Sequence, residues 1–296
     1  MYKLLFGAIL LFASHASFAL GKLGHQLVCQ LAYEQLATST QHSVTALLKQ
    51  VSKQDRLAIN QYLRKKKDTP LTFANACTWA DAIKRQPEYD KYKSWHYINV
   101  SRDSKKISQD TCQKHCITRA IKIHSELLAA NKTNEQSAKA LMFLGHWLGD
   151  IHQPFHVSFA SDLGGNRIKV TPFKGRCNNI HWYWDECLLY PSPRSKEALT
   201  TYWLSRLNTL MPNNIKKQWQ LSSEFDWANE SLAIVTSKEI GYCQFHDGHC
   251  QKNNNVPFVI TERYHLAQQQ QLATRMAQAA TRLAARLTEV LNSKNS

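Results

Sequence analysis

Leu144-Gly-His146-Trp-Leu-Gly-Asp150-Ile-His-Gln-Pro154-Phe-His156 is the stretch that decides the fold of this 296-residue chain. Its apolar residues have helical spacing, and His146 and Asp150 stand at positions i and i+4 on one helical face. Both side chains can therefore reach one ion. Pro154 ends the helix and turns the chain, which returns His156 toward the same site. The sequence thus predicts a helix that carries a metal site.

A second pair repeats this spacing. His181 and Asp185 are four residues apart, and two such pairs in one chain are much less probable by accident than one. An isolated histidine more often makes hydrogen bonds at the surface or in the core. The set of imidazoles and carboxylates, with no thiolate, instead favours a catalytic zinc site with open positions. Three further donors complete the set: His25 in Leu20-Gly-Lys-Leu-Gly-His25, Asp81 in Thr78-Trp-Ala-Asp81, and His96 in Ser94-Trp-His96.

Residues 1–19 have the pattern of an export signal. Lys3 precedes an apolar run from Leu4 to Phe12, and Ser17-Phe-Ala19 is a small-x-small cleavage site. Cleavage would expose the amino group of Leu20, itself a possible metal ligand, and leave residues 20–296 as one domain. The apolar run is too short to span a bilayer. A secreted or periplasmic protein is predicted.

All eight cysteines follow the predicted signal, an even count that indicates disulfides in an oxidising compartment. A thiolate zinc site would need paired C-x-x-C motifs, and the nearest approach is Cys112-x-x-x-Cys116. Eight cysteines allow about 105 pairings. Sequence proximity favours Cys112 with Cys116, Cys177 with Cys187, Cys243 with Cys250, and therefore Cys29 with Cys77.

The fold class predicted from periodicity is all-α, as a single compact helical domain, because patterns of period 3.6 dominate. Only residues 166–173 resemble a strand or an extended loop. The last helix has an apolar stripe, and the arginines beside that stripe, Arg275, Arg282 and Arg286, are expected on a solvated face. The predicted helices span residues 23–37, 40–49, 54–66, 75–84, 116–129, 134–150, 194–209, 223–239 and 260–292.

The other histidines of the mature chain lack a comparable partner pattern, so we interpret them as structural. His152 follows His146 by six residues and therefore faces away from the ligand face. The segment between Cys243 and Cys250 is expected to be a polar loop closed by a disulfide. These histidines are His42, His115, His124, His152, His246, His249 and His265.

The chain carries a large positive charge. There are 37 basic and 22 acidic residues, and loss of Lys3 with the signal leaves 36 − 22 = +14. Such a surplus favours polyanionic partners, either nucleic acid or an anionic membrane surface, although solubility alone would also explain it.

In this order, the motifs resemble those of the zinc-dependent single-strand-specific nucleases and 3′-nucleotidases of fungi, plants and bacteria. The match covers nearly the whole mature chain and continues weakly through Trp227-Ala-x-Glu-Ser231. Each motif alone would be weak, but together they are very specific. They are Gly21-x-x-Gly-His25, Trp79-Ala-Asp81, Trp95-His96, His146-x-x-x-Asp150-x-x-Gln-Pro-x-His156, Gly164-Gly-Asn166 and His181-x-x-x-Asp185.

The resemblance implies a cleft with three zinc ions. Family members usually begin with tryptophan, whereas this chain would begin with Leu20. Leucine supplies the same main-chain donors but not the indole packing, so weaker binding of the second zinc is expected. The implied ligands are Asp81, His96, His146 and Asp150 for the first ion, with Asp150 bridging to the second; His25 and the main-chain amino and carbonyl groups of Leu20 for the second; and His156, His181 and Asp185 for the third.

The resemblance also implies the reaction, which is endonucleolytic hydrolysis of single-stranded DNA and RNA to 5′-phosphorylated products, with 3′-nucleotidase activity. Zinc lowers the pKa of bound water to about 7, and the resulting hydroxide, oriented by Asp81, would attack phosphorus. Lys84, one turn after Asp81, either neutralises charge on the phosphoryl group or is a solvated helix residue.

Three residues are predicted substrate contacts. Tyr97 follows a ligand and is either a stacking platform for an unpaired base or a packed core aromatic. Asn99 offers a donor and an acceptor to a base edge. Asn166 follows two glycines that allow close backbone approach, so it is a candidate contact to a base or sugar. The expected partners are single-stranded DNA, RNA and 3′-nucleotides, for a monomer without stable membrane association.

Two alternatives remain at this point. A bacterial zinc phospholipase C has a similar fold and chemistry, but those enzymes tend to have glutamate where this chain has Asp185, and the Tyr97 and Asn99 pair suits a base. The other is a secreted zinc-binding protein without activity. Retention of every predicted side-chain ligand argues against it.

Overall fold

The computed structural model describes residues 20–112, 114–130, 132–190, 195–246, 249–252 and 257–292. The predicted signal segment, 1–19, lies outside this range. Helices dominate, which confirms the predicted all-α class, and none of those described is long and apolar enough to cross a membrane. They are α1 (Lys22–Glu34), α2 (Thr38–Lys49), α3 (Lys53–Tyr62), α4 (Phe73–Ala76), α5 (Trp79–Ile83), α6 (Ile117–Ala129), α7 (Glu135–His152), α8 (Ile180–Asp185), α9 (Lys196–Thr209), α10 (Asn213–Gln220), α11 (Glu224–Val235) and α12 (Glu262–Asn292).

The central element is α7, which begins where the Asn134 side chain accepts a hydrogen bond from the Ser137 amide. From Ala140 to His152 every residue of this helix is buried. This part of α7 is therefore surrounded by other elements on every side, and α1, α6 and α12 are among its neighbours. A polar side chain on α7 is therefore held in a fixed position in the interior.

The described strands are short, and they pair with one another between the helices. β1 (Ile98–Val100) runs parallel to β2 (Val157–Phe159) with Ile98 opposite Val157. Since these strands directly follow His96 and His156, their pairing holds the two histidines together. β3 (Val170–Thr171) pairs with β6 (Phe258–Val259), and β4 (Cys243–His246) with β5 (His249–Lys252). The extended segment predicted at 166–173 thus contains a two-residue strand. The polar loop predicted between Cys243 and Cys250 was wrong in part, because its described residues lie in the paired strands β4 and β5.

Two α-helices and several 3-10 segments were not predicted. α8 spans only six residues and α10 only eight, so both are too short for a helical period to stand out in the sequence. The longest 3-10 segment described spans Pro87–His96, and this type of helix lacks the 3.6-residue period. The predicted helix over 223–239 is shorter than expected and ends at Val235.

All four predicted disulfides are present. Cys29 bonds to Cys77, Cys112 to Cys116, Cys177 to Cys187, and Cys243 to Cys250. The first of these joins α1 to the segment before α5. It therefore links α1, which carries His25, to the residues just before α5, which carries Asp81.

The expectation of a solvated arginine face on α12 was wrong for two of the three residues. Arg275 and Arg282 are 1% and 2% exposed. Both donate to Glu230, and Arg282 also lies 2.8 Å from His152 Nε2. Burial lowers the pKa of Arg275 to about 10, opposed by the Glu230 charge. Buried charges persist only when paired, and a shared carboxylate supplies the pairing here. Arg286, with Glu224, is nearer the surface.

Replacing Glu230 with glutamine should lower the free energy of unfolding by about 2 kcal/mol near pH 7, because two buried guanidinium groups lose their anion. This figure is reduced from that for a fully buried pair, since the Glu230 side chain is 35% exposed. Burial raises the pKa of Glu230, but the arginines lower it further, below its ordinary 4.5. Its stabilisation is therefore complete above pH 4.5 and is lost as the pH falls through the folded-state pKa.

Urea unfolding across this pH range would test the prediction, and the gap between wild type and Glu230→Gln should close in acid. The matched control is Glu126→Gln, which removes an ion pair to Lys122 that is more than half exposed and should have little effect. Equal effects of both substitutions would contradict the proposed importance of the buried pair.

Candidate metal centre

The two α7 residues His146 and Asp150 are fully buried, and His146 Nε2 lies 3.2 Å from Asp150 Oδ2. Their i, i+4 spacing places them on one face of the helix, as predicted. Burial lowers the pKa of His146, but the charge of Asp150 and the hydrogen bond to it raise this pKa above its ordinary value. Although burial raises the pKa of Asp150, the nearby histidines His146 and His156 hold it well below its ordinary range. The carboxylate is therefore an anion that several imidazoles surround.

Backbone carbonyls determine which ring nitrogen of three histidines faces the site. His146 Nδ1 lies 2.7 Å from the Cys77 oxygen, His156 Nδ1 2.6 Å from the His96 oxygen, and His181 Nδ1 2.7 Å from the Gly164 oxygen. A carbonyl oxygen only accepts, so each Nδ1 carries the proton. In the neutral ring, Nε2 is left with its lone pair, the arrangement typical of metal-ligating histidines.

His25 reaches the site because α1 and α7 approach closely at Gly149. A Cβ at that position would lie 2.6 Å from His25 Nδ1, so any side chain would displace the ring. With glycine there, the His25 ring stacks on His146 at a centroid separation of 3.8 Å, and His25 Nε2 lies 3.2 Å from Asp150 Oδ1. Burial and the neighbouring His146 lower the pKa of His25.

Asp81, on α5, is buried at the edge of this cluster and has two polar neighbours. Tyr62 donates a hydrogen bond to Oδ2 at 3.1 Å, and Lys84 lies 3.0 Å from Oδ1. Burial raises the pKa of Asp81, but the Lys84 charge and the histidines lower it more. Asp81 is therefore a carboxylate at neutral pH, held in place by a tyrosine and a lysine.

His96 ends the 3-10 helix and joins the same cluster. Its Nδ1 lies 2.9 Å from Asp150 Oδ2 and 3.2 Å from His146 Nε2. Burial lowers the pKa of His96 to about 4, although Asp150 opposes the shift. A neutral imidazole is the form that binds a metal ion.

The predicted third set, His156, His181 and Asp185, forms a triad next to Asp150, whose Oδ1 lies 3.9 Å from His156 Nδ1. Asp185 Oδ1 lies 3.6 Å from His156 Nε2, and Oδ2 lies 3.3 Å from His181 Nε2. Gln153 donates to Asp185 Oδ1 at 2.6 Å and so orients the carboxylate. Burial lowers the pKa of His156, but Asp150 and Asp185 raise it to about 9.

Several buried polar atoms of these residues have no hydrogen-bond partner. They include His25 Nε2, Asp150 Oδ1, His156 Nε2 and Asp185 Oδ2. Unpartnered buried donors and acceptors are costly, and a cation among them would satisfy all four. Groups whose ligand atoms lie within 4.8 Å of one another, and which could hold metal ions, are His25 with Asp81 and His146; His96 with His146 and Asp150; and His156 with His181 and Asp185.

All eight predicted side-chain ligands are thus in these groups. The third group is the predicted third set. The first two groups have His146 in common, whereas the ligand sets predicted for the first and second ions have Asp150 in common. The assignment of ligands to individual ions therefore stays a prediction. Leu20 is 1% exposed and packs closely on Gly24, where a Cβ would lie 2.5 Å from the Leu20 Cγ. The next residue, Gly21, donates its amide to the backbone oxygen of Asp185 at 2.8 Å.

The three predicted substrate contacts differ in their surroundings. Tyr97 is 40% exposed, so it is not a core aromatic. Asn99 Oδ1 is buried without a partner and lies 3.4 Å from the position of a Cβ on Gly164. Gly164 has a φ of 63°, and its missing side chain keeps this space open. Asn166 uses its amide to close the turn onto the Leu163 oxygen at 2.8 Å.

Sequence reasoning missed two residues that orient ligands. Gln153 lies inside the α7 motif and follows Asp150 by three residues, so its place in that motif was a usable signal. Tyr62 is 19 residues from Asp81, and no local pattern indicates it.

The structure is thus a helical protein with buried groups of histidine and aspartate that could hold metal ions, an arrangement typical of metal-dependent hydrolases. The sequence model of the S1/P1 Nuclease family matches residues 20–292. The chain belongs to this family and is accordingly a hydrolase that acts on phosphodiester bonds.

Similar proteins include plant and fungal nucleases. Endonuclease 3 of Arabidopsis thaliana is 27% identical over 298 residues, covering 93% of this chain and 90% of the relative. Nuclease S1 of Aspergillus oryzae is 27% identical over 217 residues, covering 71% of this chain and 67% of the relative. Nuclease P1 of Penicillium citrinum is 30% identical over 119 residues, covering 38% of this chain and 43% of the relative.

Gly149→Ala should lower the metal content of the folded protein, because the added methyl group displaces His25 from the Asp150 carboxylate. Plasma mass spectrometry of purified protein, with circular dichroism to verify folding, would measure the loss. The control is Ala140→Gly in the same helix, which costs about 1 kcal/mol of stability but touches no ligand. If metal content falls equally in both variants, or in neither, close packing at Gly149 does not position a ligand.

Proposed function

We propose that this protein is a zinc-dependent endonuclease that hydrolyses single-stranded DNA and RNA to 5′-phosphorylated products and also removes phosphate from 3′-nucleotides. The observation that carries the proposal is the set of eight buried histidines and aspartates, several with unpartnered atoms, in a member of the S1/P1 Nuclease family. Three zinc ions would be held by Leu20 and by His25, Asp81, His96, His146, Asp150, His156, His181 and Asp185.

The chemistry of the donors supports zinc as the metal. Imidazole and carboxylate without thiolate suits zinc in a catalytic site with open positions. Bound there, zinc supplies a Lewis acid for the phosphoryl oxygens and lowers the pKa of water to about 7. Three zinc ions and the three carboxylates of Asp81, Asp150 and Asp185 would leave a net charge of about +3 in the cavity, which favours a phosphodiester over a neutral ester.

The residues of the chain add positioning and charge. Asp81 would orient the attacking water, since its carboxylate is buried, ionised and fixed by Tyr62. Lys84 holds the other oxygen of Asp81, and its side chain is 15% exposed. From that position Lys84 would neutralise charge that develops on the phosphoryl group.

Base recognition would involve Tyr97, Asn99 and Asn166. The exposed ring of Tyr97 offers a stacking platform, which requires an unpaired base and so favours single strands. The unpartnered Oδ1 of Asn99 is available as an acceptor for an amino group on a base edge. Asn166 lies in the glycine turn beside His181 and would contact a base or sugar.

Export would precede activity. Residues 1–19 would be a cleaved signal and residues 20–296 the nuclease domain, released from the cell or kept in the periplasm as a monomer without stable membrane association. The four disulfides support an oxidising compartment. Since the main chain of Leu20 is a proposed ligand, the metal centre would be complete only after cleavage.

The protein with Leu20 at its free terminus should release acid-soluble nucleotides from single-stranded DNA and RNA, and a chelator should abolish the release. Asp150→Asn should do the same, since it removes a shared ligand, while Asp90→Asn, at an exposed ion pair, serves as the control. Phosphatidylcholine is tested in parallel. Cleavage of the lipid alone would refute the nuclease proposal, and inactivity with zinc bound would refute catalysis.

A single residue added before Leu20 should lower both zinc content and nuclease activity, the latter at least about tenfold. The added residue displaces the terminal amine from its proposed position and leaves every side-chain ligand in place. The same residue added after Ser296 is the control. Full zinc content and activity in the amino-terminally extended protein would show that the terminus is not a ligand.

A further inference from the structure

The loop that follows α3 carries four consecutive basic residues, Arg64-Lys-Lys-Lys67. We call residues 64–67 the basic loop. Arg64, Lys66 and Lys67 are exposed. Within the described parts of the chain, no carboxylate lies within the 4.0 Å ion-pair distance of any of the four side chains. In contrast, Lys93 and Lys122 have partners one helical turn away.

The basic loop lies beside the metal centre. Tyr62, which donates to Asp81 at 3.1 Å, is two residues before Arg64, so the two Cα atoms are at most about 7 Å apart. Lys22 is a further positive charge between the loop and the metal centre. Its Nζ donates to the backbone oxygen of Tyr62 at 2.6 Å and lies 4.2 Å from the centre of the Tyr62 ring. Positive charge therefore extends from Lys84 at the centre outward to the loop.

The loop is also held rigidly. Asn60 is 2% exposed, and its side-chain amide donates to the backbone oxygens of Lys67 at 3.2 Å and Thr69 at 3.0 Å. Within the turn, Thr69 donates its amide to the Lys66 oxygen at 3.1 Å. The backbone of the loop is thus fixed before any ligand arrives, which reduces the entropy lost on binding.

Arg64 occupies a position that normally favours glycine. The Lys65 amide bonds to the Asn60 oxygen at 2.8 Å and the Arg64 amide to the Gln61 oxygen at 3.1 Å, which form the terminal motif of α3. In this motif Arg64 has a φ of 55°, a conformation that is strained for a residue with a side chain. An arginine there is consistent with a functional use of its charge.

From these observations we infer that the basic loop binds the backbone phosphates of the substrate strand beyond the scissile bond. This inference rests on the proposed nuclease function and adds to it. The loop would raise affinity for polynucleotides over short substrates, because only a long strand reaches both the metal centre and the loop. Phosphate contacts of this kind carry no base preference and weaken with salt.

The test uses full-length mature protein and compares a long single-stranded oligonucleotide with a dinucleotide. In Lys66→Glu/Lys67→Glu, the ratio of the two kcat/KM values should fall about tenfold in favour of the short substrate, chiefly through KM. The slope of log KM against log salt for the long strand should decrease by about 1.4 for two lost contacts. The control, Lys216→Glu/Lys217→Glu, makes the same charge change on α10, which packs against α12, and should leave the ratio unchanged.

Arg64→Gly separates function from structure. Glycine relieves the strain at a φ of 55°, so the melting temperature should rise while the ratio of long to short substrate falls about threefold. A purely structural loop would give the first effect without the second.

The outcomes distinguish the two proposals. Wild-type inactivity on both nucleic acids would overturn the nuclease function and the inference with it. Normal wild-type activity, with an unchanged ratio in the loop variants, would overturn the inference alone. The inference would also be overturned if the loop variants lost binding to phosphatidylserine vesicles but kept unaltered polynucleotide kinetics. The loop would then be a membrane contact.

Discussion

A buried carboxylate that needs positive or hydrogen-bonding neighbours is the constraint on which this structure depends. Asp150 is fully buried and lies within 3.2 Å of the imidazoles of His25, His96 and His146. An isolated charge in that position would cost more free energy than a domain of this size has available. The three histidines come from α1, the 3-10 helix and α7, so the requirement to surround one aspartate fixes three elements relative to one another. A bound cation would strengthen the same arrangement.

Much of the fold and of the candidate metal centre could be predicted from the sequence, because these features depend on local sequence patterns. The pairs His146 with Asp150 and His181 with Asp185 depend only on helical spacing. Proximity in sequence predicted three of the disulfides, and Cys29 and Cys77 were then the two cysteines left to pair. The long helices were found because their apolar stripes have a period of 3.6 residues. Periodicity failed for α8 and α10, which span only six and eight residues and are too short to show a pattern.

The residues that sequence reasoning placed wrongly or missed are those whose role depends on distant contacts. Tyr62 orients Asp81 from another helix, and no spacing rule connects them. Arg275 and Arg282 resembled solvated residues because arginine usually is exposed. The carboxylate that allows their burial is on α11, 45 and 52 residues away. Charge pairing of this kind is a property of the folded chain, so composition and periodicity do not reveal it.

The buried arginines also bear on the metal centre, through the end of α7. The last carbonyls of a helix lack partners within it and carry partial negative charge. Here Ser231 donates to the Ile151 oxygen at 2.6 Å, and Arg275 donates to the His152 oxygen at 3.3 Å. These bonds fix the point at which the chain leaves α7 and turns toward His156. The turn joins Asp150 to His156, whose side chains come within 3.9 Å of each other, so Arg275 helps to hold the segment that carries both. The buried charges of α11 and α12 and the proposed metal ligands of α7 are therefore linked through the hydrogen bonds at the end of α7.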